Sequence, residues 1–384
     1  MNELRQIATV CRISIGSLGQ RYGTALVIVF GMVCVVGVLT SMLSVTAGLT
    51  HAYLRPEDAT RAIVWREGAN FDQSLSLKRE MIDTIVDAPG IAAGPDGKRL
   101  VDAEFLIRVS LEGFAAGSLE LRGIGPRGVA LRPAFRIVAG HMFRTGTREL
   151  VAGVGAARKF GLTVGSEVRL RDGNWPIVGL FTCGGDIIES RLVADANTVM
   201  AARRRPGFAQ VIAELQDPKA YPEFQRWLTE NPALAVSVER KTDYDLRMVG
   251  ADTGFFTRMA YVIGAVMAIG ALFGVVKIMY AAVRARTREI GTLRAIGFGG
   301  TAVALSVLVE ATLLGTIGAL IGTAVAWLIF DGREMWVWGA FKLRVSPSLW
   351  ALGLVWALLT SLLGGFFPAL RAARVSASEA LRAA

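Results

Sequence analysis

The sequence predicts an α-helical membrane protein with four transmembrane helices and a large extracytoplasmic α+β domain inserted between the first and second helices. Three observations carry this reading. Hydrophobic residues make up 53% of the chain and charged residues only 19%, with a mean hydropathy of +0.45, too apolar for an ordinary soluble protein. Four apolar runs, residues 24–47, 259–283, 302–330 and 349–367, are each long enough to cross about 30 Å of hydrocarbon as a helix. Between the first and second lies a mixed, charged stretch, residues 48–258, with no such run.

Residues 1–23 place Leu4, Ile7, Ala8, Cys11, Ile15 and Leu18 at helical spacing, with Arg5, Arg12 and Gln20 on other faces. That pattern predicts an amphipathic helix at the cytoplasmic interface. The first run is read as an uncleaved anchor, because it is far longer than the roughly 7–15 apolar residues of a signal peptide.

The external stretch alternates strand-like and helix-like segments, which argues for an α+β or α/β fold. Strands are predicted at 62–65, 105–111, 118–122, 149–152, 167–170, 176–181, 191–194, 210–215 and 235–239, and helices at 77–86, 154–160, 197–203, 222–230 and from Thr242 into the second span. Glycines at 165, 173, 184 and 185 punctuate a small β-rich subdomain. Cys11 falls before the first span and Cys34 inside it, so Cys183 is the one cysteine of the external stretch and no internal disulfide supports that domain.

Orientation follows from arginine near the span ends. Arg5, Arg12 and Arg21 in the head, Arg284, Arg286, Arg288 and Arg294 in the loop at 284–301, and Arg371, Arg374 and Arg382 in the tail at 368–384 lie on one side. Both termini are placed in the cytoplasm and residues 48–258 outside. The short loop at 331–348 carries a weaker bias, and Trp327, Trp336, Trp338 and Trp350 around it suit rings settling at a membrane interface. The net charge of +10 is explained by basic residues flanking spans, next to anionic headgroups, and no nucleic-acid fingerprint accompanies it.

No glycine-rich loop ending in lysine and serine or threonine is present, so the sequence contains no phosphate cradle of the P-loop kind. His51 and His141 are the only histidines and lack metal-ligand spacing; both read as solvated loop residues. There is no glycine-x-serine-x-glycine elbow, and Gly184-Gly185-Asp186 with Glu189 reads as a surface turn. The reading is not that of an enzyme.

Two ionisable residues fall inside the spans, where burying a charge costs on the order of 3 kcal/mol. Lys277 and Glu310 lie at matching depth, roughly 10–14 Å from the cytoplasmic ends of their helices at about 1.5 Å per residue. They are expected to pair between the second and third spans. Small residues recur in Gly270-x-x-x-Gly274 and Gly318-x-x-x-Gly322, with Gly315 nearby, positions that let helices approach closely within one chain or between subunits.

The loop between the second and third spans has a helical logic of its own. Arg286, Ile290 and Leu293 approximate one face, Arg288, Glu289 and Arg294 are polar, and Gly297 is a natural left-handed stop after Ile296. The run from Arg286-Thr287-Arg288-Glu289-Ile290-Gly291 to Thr292-Leu293-Arg294-Ala295-Ile296-Gly297 resembles the signature after the second span of MacB/FtsX-type permeases, the type VII ABC transporter fold. Glu310, Gly315, Gly318 and Gly322 fall where that family has a glutamate and a glycine-rich third span. The tail Pro368-Ala369-Leu370-Arg371-Ala372-Ala373-Arg374, with Ser378-Glu379-Ala380-Leu381-Arg382, is similar to its closing motif. Segments 149–162 and 164–179 resemble its small β subdomain. Lys277 departs from the pattern, standing where asparagine is common.

The resemblance implies a permease subunit in the bacterial cytoplasmic (inner) membrane. It would work with a second copy or a paralogue, on a dimer of separate ABC ATPase subunits that bind ATP and Mg; this chain itself would hold no cofactor. Arg286, Arg288, Glu289, Ile290, Leu293, Arg294, Ile296 and Gly297 would form the coupling helix. ATP-driven closing of the subunits would move the external domain by mechanotransmission, exporting a lipidic, peptide or drug-like substrate, with a membrane-fusion adaptor as a further partner. The alternatives are a non-transporting subunit that activates a cell-wall hydrolase, and an ATPase-independent sensor.

Overall fold

The computed structural model describes residues 22–69, 76–110, 118–170, 173–204, 207–336 and 339–375, together with Gln6, Val10, Arg12 and Gly16, which are helical. The rest of the expected amphipathic helix at 1–23, Trp338 and the closing motif at 378–382 lie outside the described residues.

In chain order the elements are α1 (Tyr22–Tyr53), β1 (Arg61–Arg66), α2 (Arg79–Val86), β2 (Val101–Ser110), β3 (Ser118–Ile124), β4 (Arg136–Gly140), β5 (Leu150–Gly153), α3 (Val154–Phe160), β6 (Glu167–Leu170), β7 (Gly173–Thr182), β8 (Leu192–Asp195), α4 (Ala196–Arg203) and β9 (Gln210–Glu214). They continue with α5 (Tyr221–Thr229), β10 (Val236–Arg240), α6 (Lys241–Ala285), α7 (Thr287–Ala295), α8 (Gly300–Phe330), β11 (Glu334–Trp336), β12 (Ala340–Lys342) and α9 (Pro347–Arg374). Two compact units result: residues 1–48, 253–333 and 343–384, and residues 49–252 with 334–342.

The first unit contains the apolar helices, with stretches long and apolar enough to span a bilayer at Ala25–Tyr53, Thr253–Ala285, Gly300–Phe330 and Pro347–Arg374. The helix carrying the second run starts at Lys241, well before its apolar part, because polar first turns continue a helix as readily as apolar ones. α8 lies between α1 and α9, and glycines set the spacing. A Cβ on Gly318 would sit 2.5 Å from that of Met32, and one on Gly322 would sit 2.7 Å from the Val33 carbonyl oxygen. Gly315 faces Ser361 of α9 in the same way. This is close backbone approach of the kind small residues permit. A Cβ on Gly270 or Gly274 would meet nothing within 4 Å among the described residues, so there this glycine pair lacks the close approach seen at Gly318 and Gly322.

The second unit is built on a ten-stranded mixed sheet in the order β10-β1-β9-β2-β3-β8-β5-β7-β4, with β6 paired to β7. One core packs β1, β9, α2 and α5 around Phe224 and Leu228, another packs β2, β3, β5, α3 and α4 around Trp175 and Leu121, and a smaller one gathers Phe135, Phe181 and Ile188. His51 belongs to α1 rather than to a loop, its side chain exposed. The short connection before α9 does not fit the interfacial-tryptophan expectation at Trp336. That ring instead stands edge-on to Phe160, with centroids 5.5 Å apart, because β11 and β12 form a hairpin belonging to the second unit.

Candidate coupling-helix site

α6 ends at Ala285, and the chain turns at Arg286, whose φ of −100° and ψ of 9° break the helix before α7 begins. Glu289 in the first turn and Arg294 in the last complement the helix dipole. Gly297 then takes φ +101°. Its N–H donates to the Arg294 carbonyl, and that of Phe298 donates to the Leu293 carbonyl over 3.0 Å, the paired bonds of a Schellman stop. The stop after Ile296 thus forms where the sequence places a glycine.

α7 has two faces. Ile290 and Gly291 are buried, and Leu293 and Arg294 are half-buried. Arg288, Glu289, Thr292, Ala295 and Ile296 are exposed, Ile296 at 71%. Ile290 joins Met279 and Val283 of α6, Val303 and Val307 of α8, and Ala369 and Ala372 of α9 in one apolar cluster. A cavity of about 340 Å³ remains behind the helix, lined by Leu293, Ile290, Val303, Ser306 and Val10 among others.

At the back of that cavity Arg286 donates through Nη1 to Glu310 Oε2 over 2.8 Å, with both side chains more than nine-tenths buried. This corrects the expected Lys277–Glu310 pair. Glu310 turns toward the loop residue Arg286, whereas Lys277 lies on an exposed face of α6. Equal depth is necessary for pairing but does not fix the direction each side chain faces. The correction extends to Arg286 and Ile290, which are expected to meet a partner and instead face the helical bundle. No charge pattern in the sequence distinguishes Arg286 from the neighbouring arginines. The available signal was the buried glutamate, which requires a cation, and the nearest loop arginine competes with Lys277 for that role.

The second unit holds charge of a different kind. Glu104 is fully buried and accepts ion pairs from Arg122, at 3.3 Å, and from Arg132, plus a hydrogen bond from Gln210 Nε2 at 2.7 Å. Burial by itself would raise its pKa, but the two guanidiniums overcome it and hold the carboxyl down at about 2. Two residues earlier, Asp102 accepts the backbone N–H groups of Gly125 at 2.9 Å and Arg127 at 3.2 Å. Burial, then repulsion from Glu104, pushes Asp102 up to about 7. Glu189 is not a mere surface residue of its glycine turn: one carboxylate oxygen accepts from Thr182 Oγ1 and from the backbone N–H groups of Cys183 and Gly185, stapling the turn. Burial pushes the Cys183 thiol up to about 12, so it is protonated and inert at neutral pH. Among the described residues no cluster of three histidine, cysteine or acidic side chains could hold a metal.

Family models match most of the chain. That of the MacB-like periplasmic core domain covers residues 23–231, and that of the FtsX-like permease C-terminal region covers residues 261–377. The chain is similar to the macrolide export ATP-binding/permease protein MacB of Rhodopirellula baltica, 28% identical over 194 residues, or 47% of this chain and 27% of that protein. It is also similar to the pyoverdine export ATP-binding/permease protein PvdT of Pseudomonas fluorescens, 34% identical over 148 residues, or 37% of this chain and 22% of that protein. The matched stretches thus span about a quarter of the length of these relatives. Among solved structures, the periplasmic region of MacB from Actinobacillus actinomycetemcomitans aligns at 11% identity and a TM-score of 0.39, covering 51% of this chain and 97% of that one.

Proposed function

The chain belongs to the MacB/FtsX-type family of ABC transporter permeases, and on that premise we propose that it couples ATP hydrolysis by an ATPase subunit to movement of its external domain. The observation that carries this reading is the two-faced α7. One face is clamped to the bundle by Ile290 and the Arg286–Glu310 pair, and the other offers Arg288, Glu289 and Ile296 to solvent. A short helix so held transmits displacement to α6 and α8, and the exposed isoleucine at its end is a fitting anchor for a partner's groove.

In this proposal the chain crosses the bacterial inner membrane four times, with both termini and α7 in the cytoplasm. Two ATPase subunits, which bind ATP and Mg, dock on two permease copies or on this chain and a paralogue. α6 supports a second copy by leaving Val266, Ile269 and Phe273 exposed beside the uncontacted Gly270 and Gly274. The substrate class is amphipathic, lipidic, peptide or drug-like, in keeping with relatives named for macrolide and pyoverdine export. A membrane-fusion adaptor would complete the export path.

Co-purification with a candidate ABC ATPase subunit from the same organism tests the reading. Ile296→Ser and Glu289→Lys should each weaken ATPase binding about tenfold or more, and Ile296→Ser should leave thermal stability within about 0.5 kcal/mol, since its side chain is exposed. Leu293→Asp should lower both, because Leu293 is half-buried and the substitution puts a carboxylate where an apolar side chain packs. Unchanged affinity in all three variants would remove α7 as the docking helix.

A further inference from the structure

The connection between α8 and α9, residues 331–346, is longer than antiparallel helices need, about 2–8 residues. Its extra length goes into the β11–β12 hairpin. The neck is closed within the first unit, where the Gly332 N–H donates to the Leu343 carbonyl at 2.9 Å and the Leu343 N–H to the Arg333 carbonyl at 2.8 Å. The hairpin itself is part of the second unit, and four kinds of contact hold it there.

Glu334 is paired with Arg158 of α3. Trp336 stands edge-on to Phe160 at an interplanar angle of 87°, with the Lys159 ammonium 5.9 Å from its ring centre. The Ala340 N–H donates to Ser190 Oγ, which in turn donates to the Ala340 carbonyl at 3.1 Å, so one serine of the 3-10 turn Ile187–Ser190 extends the edge of β12. Glycine makes the approach possible. A Cβ on Gly339 would lie 2.6 Å from Ile187 Cδ1, and one on Gly155 would lie 3.1 Å from the Ala340 Cβ. A loop that merely reversed the chain would need none of these.

We propose that the hairpin is a drive link. It is a tongue by which α8 and α9 grip α3 and the Ile187–Ser190 turn, so that displacement begun at α7 reaches the external unit through α8 as well as through the chain connections of α1 and α6. The covalent route is short. α7 joins α8 through residues 296–299, Glu310 ties α8 to Arg286, and the far end of α8 enters the hairpin directly. The inference rests on the coupling role proposed for α7.

Hydrogen–deuterium exchange on the complex with its ATPase tests it, comparing nucleotide-free protein with protein bound to Mg and a non-hydrolysable ATP analogue. In the wild type, nucleotide should change exchange both in residues 287–295 and in residues 154–160. Gly339→Val, which undocks the hairpin by a clash with Ile187, and the milder Trp336→Ala should keep the response at 287–295. At 154–160 they should cut it at least about fivefold, the usual floor of an allosteric coupling. No nucleotide response at 287–295 in the wild type defeats the coupling reading itself. A response there that still reaches 154–160 in both variants, or that never reaches 154–160 in the wild type, overturns the drive link alone. A disulfide between Arg158→Cys and Glu334→Cys should leave ATP turnover intact, since a link stays docked throughout the cycle. Turnover that falls on oxidation and returns with reductant overturns the proposal.

Discussion

Both units bury ion pairs, but they use them differently. In the external unit Glu104, Arg122, Glu120, Arg191 and Arg132 form a mesh across β2 and β3 in which Arg122 meets two carboxylates and Glu120 meets two guanidiniums. Charges with several partners hold strands in one register and resist local rearrangement. In the membrane unit the Arg286–Glu310 pair ties a helix break to the next helix. Desolvation offsets much of the attraction in a buried pair, so the pair contributes little net stability. What it supplies is a fixed angle at a joint. The contrast separates charge spread over a mesh of strands from charge concentrated at a single joint between helices.

Removing the centre of the mesh should have the largest effect. Glu104→Ala leaves Arg122 and Arg132 buried without their shared carboxylate, at a cost of about 3–5 kcal/mol. We expect a cooperative loss of the external unit's strand signal in circular dichroism at a much lower denaturant concentration, while the helical signal of the membrane spans persists. If Glu104→Ala unfolds like the wild type, the mesh is not the scaffold.

Glu310→Ala should cost somewhat less, about 3 kcal/mol, and should act elsewhere. Hydrogen exchange should rise in residues 287–295, and stimulated ATP turnover should fall about tenfold or more, with the external unit's melting unchanged. The double variant Arg286→Met/Glu310→Met sharpens the contrast, because an apolar pair of similar volume commonly restores stability. Restored stability without restored turnover identifies the pair as a positioning device. Restoration of both would make it packing alone.

How much of this was legible in the sequence follows from the range of each signal. The four apolar runs, the alternation of strands and helices between the first two, and the stop at Gly297 are local patterns, and the corresponding elements are present. β4 was not foreseen: its five residues carry an exposed, irregular pattern with a register shift between Ile137 and Ala139 that blurs period-two alternation. The β11–β12 hairpin was hidden because its strands are three residues each, and its tryptophan suits a membrane interface as well as a protein pocket. Partner choice was the least legible feature. Lys277, Arg284, Arg286 and Arg288 are equivalent as letters, and only the turn at Arg286 aims one of them at Glu310. The same holds for the glycine pairs, where identical spacing gives tight packing at Gly318 and Gly322 and open space at Gly270 and Gly274.

The smallest expected effect concerns pH, and it follows from the neighbouring carboxyls having opposite shifts. The folded-state pKa of Glu104 is lowered to about 2, so its stabilising contribution is complete above the unfolded value near 4.5 and is lost as pH falls toward 2. Asp102 is raised to about 7 from 3.8, so the folded chain holds a proton there that the unfolded chain has released. Stability from this group is therefore greatest in acid and declines as pH rises through about 7. Two pH units of that decline amount to on the order of 2 kcal/mol, and the N–H groups of Gly125 and Arg127, which favour the carboxylate, keep it from being larger. Asp102→Asn removes the titration while keeping an oxygen to accept one of those bonds. Its melting temperature should change less than that of the wild type between pH 5 and pH 7.5. A wild-type slope that survives in Asp102→Asn would assign the pH response to another group.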